Sequence, residues 1–154
     1  ISASYSFENV LKEWNKLNLG IGISYVYGID LSGTETTPLF GVPPLTLNTD
    51  ISYNGLTDNK LLSAYFLKID VNYTFAQTRV APIPSGSEGG PWGYTPSDPY
   101  LELNFGLGLS SESLPGYPKL RVVVKNIMDY DYLPYGSYIP AMGRNYKILL
   151  SFNL

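Results

Sequence analysis

The sequence predicts an all-β chain of about seven antiparallel strands forming the wall of an up-and-down transmembrane β-barrel. Three observations carry that expectation. Oily and wet side chains alternate with a two-residue period through most of the 154 residues; the connections between these stretches are short and long by turns; and the charged side chains Lys68, Asp70, Glu102, Arg121 and Lys147 all fall on the wet side of their stretch. A soluble antiparallel sandwich also alternates. Stretches of about ten residues or more, however, exceed the roughly five or six of an ordinary strand.

The clearest stretch is Gly143 to Leu154, with Tyr146, Ile148, Leu150, Phe152 and Leu154 on one side and Lys147, Ser151 and Asn153 on the other. Chain ends usually fray, so a soluble sheet rarely needs an apolar ladder at this place, whereas a strand against lipid does. Taking the chain from its start, Ser2 to Phe7 sets Ala3, Tyr5 and Phe7 against three serines. A polar connection from Glu8 to Lys16 follows and contains Leu11 and Trp14; it is too short for a stable isolated helix and reads as a turn. The longest pattern runs from Leu17 through Leu19, Ile21, Ile23, Tyr25 and Tyr27 to Ile29, against Asn18, Gly20, Gly22, Ser24, Gly28 and Asp30. Gly20-Ile21-Gly22 is no nucleotide loop, because it lies within a strand and no helix pattern follows; its glycines suit a crowded or curved wall.

Asp30 to Val42 is a Ser, Gly, Thr and Pro loop closed by Pro43-Pro44. Leu45 to Tyr53 and Tyr65 to Phe75 are the next two strands, joined by a short connection from Asn54 to Leu62, and Phe66 is an oily exception on the wet side. Thr78 to Asp98 is irregular, and a loop of about 20 residues without structure of its own is commonly functional or mobile. Leu101 to Leu109 and Leu120 to Lys125 flank a turn from Ser111 to Pro118. A last loop from Asp129 to Met142 leads to the closing strand.

Composition narrows the function classes. Hydrophobic residues make up 44% and charged ones only 15%, below the roughly 25% charged of a soluble domain. The 14 tyrosines suit sugar-binding surfaces, interfaces and membrane boundaries alike. No apolar run approaches the roughly 18 residues of a membrane helix, so a bilayer would be crossed by strands. A net charge of -3 without a basic run argues against nucleic acid. With neither Cys nor His, thiol nucleophiles, Ser-His triads, ordinary zinc sites and histidine haem ligation are excluded within this segment. No catalytic, metal or cofactor-binding residue is assigned. Asp129 with Asp131 is the one carboxylate pair that suggests an enzyme, and capping a turn or binding a cation weakly suits it better.

In an outer-membrane barrel the short turns are periplasmic and the long loops external, which puts the C-terminus on the periplasmic side. Tyr25, Tyr27, Tyr73 and Phe75 then mark the outer aromatic girdle, and Phe7, Tyr53, Tyr65 and Phe152 the periplasmic one. Bacterial barrels close with even strand numbers, and the chain opens at Ile1 inside an alternating pattern, without initiator Met or signal peptide. The expectation is a C-terminal piece of a larger barrel, with plug and earlier strands outside this sequence.

The run Leu120 to Asn126-Ile127-Met128-Asp129-Tyr130-Asp131-Tyr132, with Gly143-Arg144 before the last strand, resembles the C-terminus of TonB-dependent outer-membrane receptors. Pro38-Leu39, Pro43-Pro44, Thr95-Pro96, Tyr100, Asn104 and Gly106 also sit where that family's patterns place them. Ile127-Met128 replaces the usual Leu-Phe, and Leu154 ends the chain where an aromatic is common. The resemblance implies a 22-stranded plugged barrel in the bacterial outer membrane. It implies energised import of an iron chelate, cobalamin or glycan, driven by the TonB complex, and no enzymatic activity. It also implies that Gly143, Tyr146, Ile148, Leu150 and Phe152 form the signal read by the barrel-assembly machinery. Trp92, Tyr94, Tyr130, Tyr132 and Tyr135 in the long loops are the ligand-contact candidates, with loop packing or a place in the aromatic girdle as their plainer role. The alternatives are a small non-transporting barrel, or a soluble lectin-like or adhesion-like β-domain whose aromatics stack on sugars.

Overall fold

The computed structural model describes residues 1–8, 15–59, 61–83 and 95–153. Nine strands occur among the described residues: β1 Ser2–Glu8, β2 Lys16–Ser24, β3 Ile29–Asp30, β4 Thr37–Pro38, β5 Thr46–Leu56, β6 Ala64–Thr74, β7 Tyr100–Ser110, β8 Lys119–Lys125 and β9 Asn145–Ser151. Seven form one antiparallel open sheet in the order β1-β2-β5-β6-β7-β8-β9, while β3 and β4 pair as a separate hairpin. No helix occurs among the described residues. Every sheet strand thus lies beside its sequence neighbour in the sheet, the simplest way to satisfy backbone groups with hairpins.

Register turns the one-dimensional alternation into two faces. One row runs Tyr5, Leu19, Ile51, Ile69, Phe105, Val124, Tyr146 across all seven strands, and the next runs Phe7, Leu17, Tyr53, Leu67, Leu107, Val122, Ile148. Between them, on the opposite face, lie Ser6, Asn18, Ser52, Lys68, Gly106, Val123 and Lys147. A slip of one residue in any pair would exchange the faces of that strand, so the patterns hold each other in register.

Among the described residues no second layer covers the apolar face. Leu19 is 37% exposed, Ile51 49% and Ile148 70%, whereas Lys68 and Asp70 on the wet face are half-buried and joined by a 2.6 Å ion pair. Among the described residues the buried apolar side chains are Val42 and Ala81, both in long connections rather than in the sheet. The buried polar residues include Asn104 and Thr74 of the wet face. Water-soluble sheets show the reverse sorting.

The antiparallel order collects the connections 25–45, 75–99 and 126–144 at one end of the sheet, hereafter the loop end, and 9–15, 57–63 and 111–118 at the other, the turn end. Short and long connections alternate as the sequence predicts. Two boundaries differ from the expectation. β2 stops at Ser24 rather than running to Ile29, because its partner β5 begins at Thr46, two residues after Pro44. Proline has no N–H to offer the ladder, so pairing cannot continue past it. Ile29 pairs instead with Pro38 in the hairpin. At the other extreme β9 ends at Ser151, since the Asn153 N–H donates to the Gly116 carbonyl at 2.8 Å and turns the chain into the last short connection. Trp14, Leu11 and Leu154 lie outside the described residues.

Candidate functional site

At the loop end the long connections are tied to one another. The Gln77 side chain donates to the Val42 carbonyl at 2.7 Å, and the Gln77 backbone exchanges hydrogen bonds with Ser97 at 3.1 Å each way. Arg79 donates to the Gly28 carbonyl and holds its guanidinium 4.0 Å from the Tyr27 ring centroid. The Leu39 N–H also donates to Gly28, at 3.2 Å, closing the β3–β4 hairpin over the strand ends. Within that hairpin the Ser32 N–H donates to Asp30 at 2.8 Å, and hydrogen bonding from Ser32 holds the Asp30 carboxyl below its ordinary range.

The second structure at this end is a clasp made by the motif that follows β8. Asn126 adopts a left-handed backbone, φ 48°, which Asn tolerates better than most residues. It is 2% exposed. Its backbone N–H donates to the Asn104 side chain at 2.9 Å; its amide donates to the carbonyls of Tyr130 at 2.9 Å and Met142 at 3.4 Å; and its side-chain oxygen accepts from the Tyr130 N–H at 3.1 Å. One residue thereby joins β7 through its backbone, and the start and end of the last long connection through its side chain. Asp129, also left-handed, accepts from the Arg144 N–H at 2.6 Å, while the Arg144 side chain donates to the Ile127 carbonyl at 2.9 Å. A Cβ on Gly143 would stand 2.9 Å from the Asp129 carboxylate, so glycine keeps that contact open.

The tyrosines of this connection fold back over the strand end. Tyr132 stacks on Tyr100 with centroids 3.9 Å apart and 13° between planes, and Tyr130 continues the stack at 6.5 Å. The Tyr132 hydroxyl donates to Glu102 at 2.8 Å, and the Asn104 amide donates to the other carboxylate oxygen at 2.7 Å. Burial first, then the Glu102 carboxylate beside it, pushes the Tyr132 hydroxyl well above the ordinary phenol range; burial alone raises Tyr135. Beside the stack is a cavity of 220 Å³, lined among others by Ser97, Asp98, Tyr130, Asp131, Tyr132 and Tyr135. Its chemistry is aromatic faces, hydroxyls and two carboxylates, which suits hydrogen bonding to a polyhydroxylated or cationic group.

Of the predicted ligand contacts, Tyr130, Tyr132 and Tyr135 therefore come together at one cavity, with Tyr132 also serving the clasp. Trp92 and Tyr94 lie outside the described residues. Among the described residues no three His, Cys, Asp or Glu side chains converge on a position that could hold a metal ion. Glu102, Asn104 and Asp98 were not legible as site residues. The first two look like ordinary wet-face positions, and only their partners 22 and 30 residues further on mark them.

In β9, Tyr146, Ile148 and Leu150 stand on the apolar face opposite Val124, Val122 and Leu120, and all three are exposed. Phe152 follows the strand, exposed but resting on Gly116, and Gly143 precedes it in the clasp. No known protein family, curated protein or solved structure matches this chain.

Proposed function

We propose that this chain is barrel wall of an outer-membrane receptor-transporter, with its apolar face against lipid, its wet face toward an aqueous interior, and its long connections outside the cell. The observation that carries the reading is the apolar row from Tyr5 to Tyr146, which crosses all seven sheet strands without a covering layer among the described residues. In water such a surface invites aggregation; against hydrocarbon it needs no cover.

Dimensions support it. β5, β6 and β7 each have 11 residues; at about 3.3 Å per residue and a tilt near 45° they rise about 25 Å, the height of the apolar band of such barrels. The half-buried wet face fits a sheet curling toward its polar side. Tyr53 and Tyr65 meet at 5.8 Å near the turn end and Tyr73 and Phe75 at 4.7 Å near the loop end, where interface girdles belong. The free edges of β1 and β9 would be taken by further strands, because an unpaired edge is not tolerated in hydrocarbon. Import of a scarce iron chelate, cobalamin or glycan through a plugged barrel, energised by the TonB complex, rests on the resemblance of the Asn126 to Arg144 motif. The loop-end cavity with Tyr130, Tyr132 and Tyr135 is then the part of the ligand surface contributed by this chain. Insertion by the barrel-assembly machinery is assigned to β9 and Phe152.

Spin labels test the wall. With the chain folded in its native outer membrane, labels replacing Ile51 and Ile69 should collide with dissolved oxygen, and a label replacing Lys68 with a water-soluble nickel chelate. A monomer that folds in plain buffer, with equal nickel access on both faces, overturns the reading.

A further inference from the structure

The wet face departs from its own pattern at the turn end. Phe66 points there, and the strand beside it carries Gly106 and Gly108, so its ring lies over bare backbone: a Cβ on Gly108 would meet the Phe66 ring at 3.1 Å. Arg121, directly opposite Gly108, sets its guanidinium 5.4 Å from the ring centroid. Leu56 and Asn54 close one side, and Lys119 stands two residues from Arg121 on the same face. Together they bound a trough of 530 Å³, within the size range of small-molecule sites. The ion pairs among the described residues are Lys16 with Glu8 and Lys68 with Asp70, so neither Lys119 nor Arg121 is neutralised by a carboxylate there.

We propose that this trough is a binding site for a small aromatic carboxylate. The ligand ring lies on the apolar floor of Phe66 and Leu56, and its carboxylate takes the two parallel N–H donors of Arg121, with Lys119 adding a second positive charge. A flat ring suits the site because Phe66 and the Arg121 guanidinium already form a layered pair over the glycines. A fork of donors suits a carboxylate better than a neutral or cationic head. The site is separate from the loop-end cavity, at the other end of the sheet, and is built from β5, β6, β7 and β8 alone. It therefore stands whether the opposite face meets lipid or water.

Fluorine NMR of para-fluorobenzoate, titrated into the folded protein in zwitterionic micelles, or in buffer if it is soluble, tests the site. The expected result is saturable binding that weakens about tenfold in R121Q, is largely kept in R121K, and is lost in A64W, since Ala64 lines the trough directly opposite Leu56 and an indole there fills it. Neutral para-fluorobenzamide separates the site from partition into detergent or onto the apolar face, and should bind about tenfold more weakly. Equal binding of amide and carboxylate, an unchanged R121Q, or no saturable binding by the wild-type chain overturns the proposal. Arg121 is exposed, so R121Q should fold, and its amide spectrum verifies that independently.

Discussion

Asn126 is the residue on which the loop end most depends. Its three side-chain hydrogen bonds and left-handed backbone occur in a position only 2% exposed. Replacing it with Ala strands buried backbone partners and adds the αL penalty, an expected loss of about 3 kcal/mol in denaturant unfolding. Asn126→Gly keeps the backbone but not the bonds, and should recover about 1 kcal/mol of that loss. Tyr132 gives a pH signature. Its folded pKa lies above the ordinary phenol value, so the protonated hydroxyl contributes stability that is complete below about pH 10 and is lost as pH rises through the folded value. In an ultraviolet titration, one late-ionising tyrosine should vanish in Tyr132→Phe, and that variant should lose about 1 kcal/mol for the bond to Glu102.

At the scale of the strand, the two faces respond oppositely to charge. Ile51→Lys places an ammonium in the middle of the apolar row and should cost roughly 2 to 4 kcal/mol in folding into lipid vesicles. In a water-soluble sheet the same exposed position would tolerate it within about 0.5 kcal/mol. Asn48→Lys, on the same strand but in the wet row between Gly22 and Asn72, should fold nearly as well as the parent. The wet row also contains Asp50 directly opposite Asp70, a like-charge pair that is unfavourable across strands, offset by the Lys68 ion pair to Asp70. Lys68→Met should therefore destabilise the parent chain, while in an Asp70→Asn background the same change should be close to neutral in unfolding measurements.

Across the whole molecule, stability comes from backbone ladders and from what the apolar face meets, since the buried apolar interior of the described residues is confined to Val42 and Ala81. On the proposed barrel-wall reading, removing lipid or detergent should collapse or aggregate the chain rather than leave a folded monomer, as light scattering would register. The two ends differ in construction. Long connections are knitted by Gln77, Arg79 and Asn126, whereas the turn end is closed by short hairpins and aromatic rings over glycine, such as Tyr65 over Gly55.

The number of sheet strands, their neighbours and the side each residue takes were readable from the chain alone, because strand alternation is local and short connections force adjacent pairing. Leu19, Ile51, Ile69 and Ile148 fall on one face as their spacing requires. The tertiary structure decided where pairing stops, as at Pro44 opposite the end of β2, and why Phe66 breaks its face, as a ring needing Gly108 beside it. It also decided what the Asn126 motif does. A period-two pattern records which way a side chain points; it holds no record of which distant residue that side chain will meet, and the clasp, the tyrosine stack and the trough are all made by such meetings.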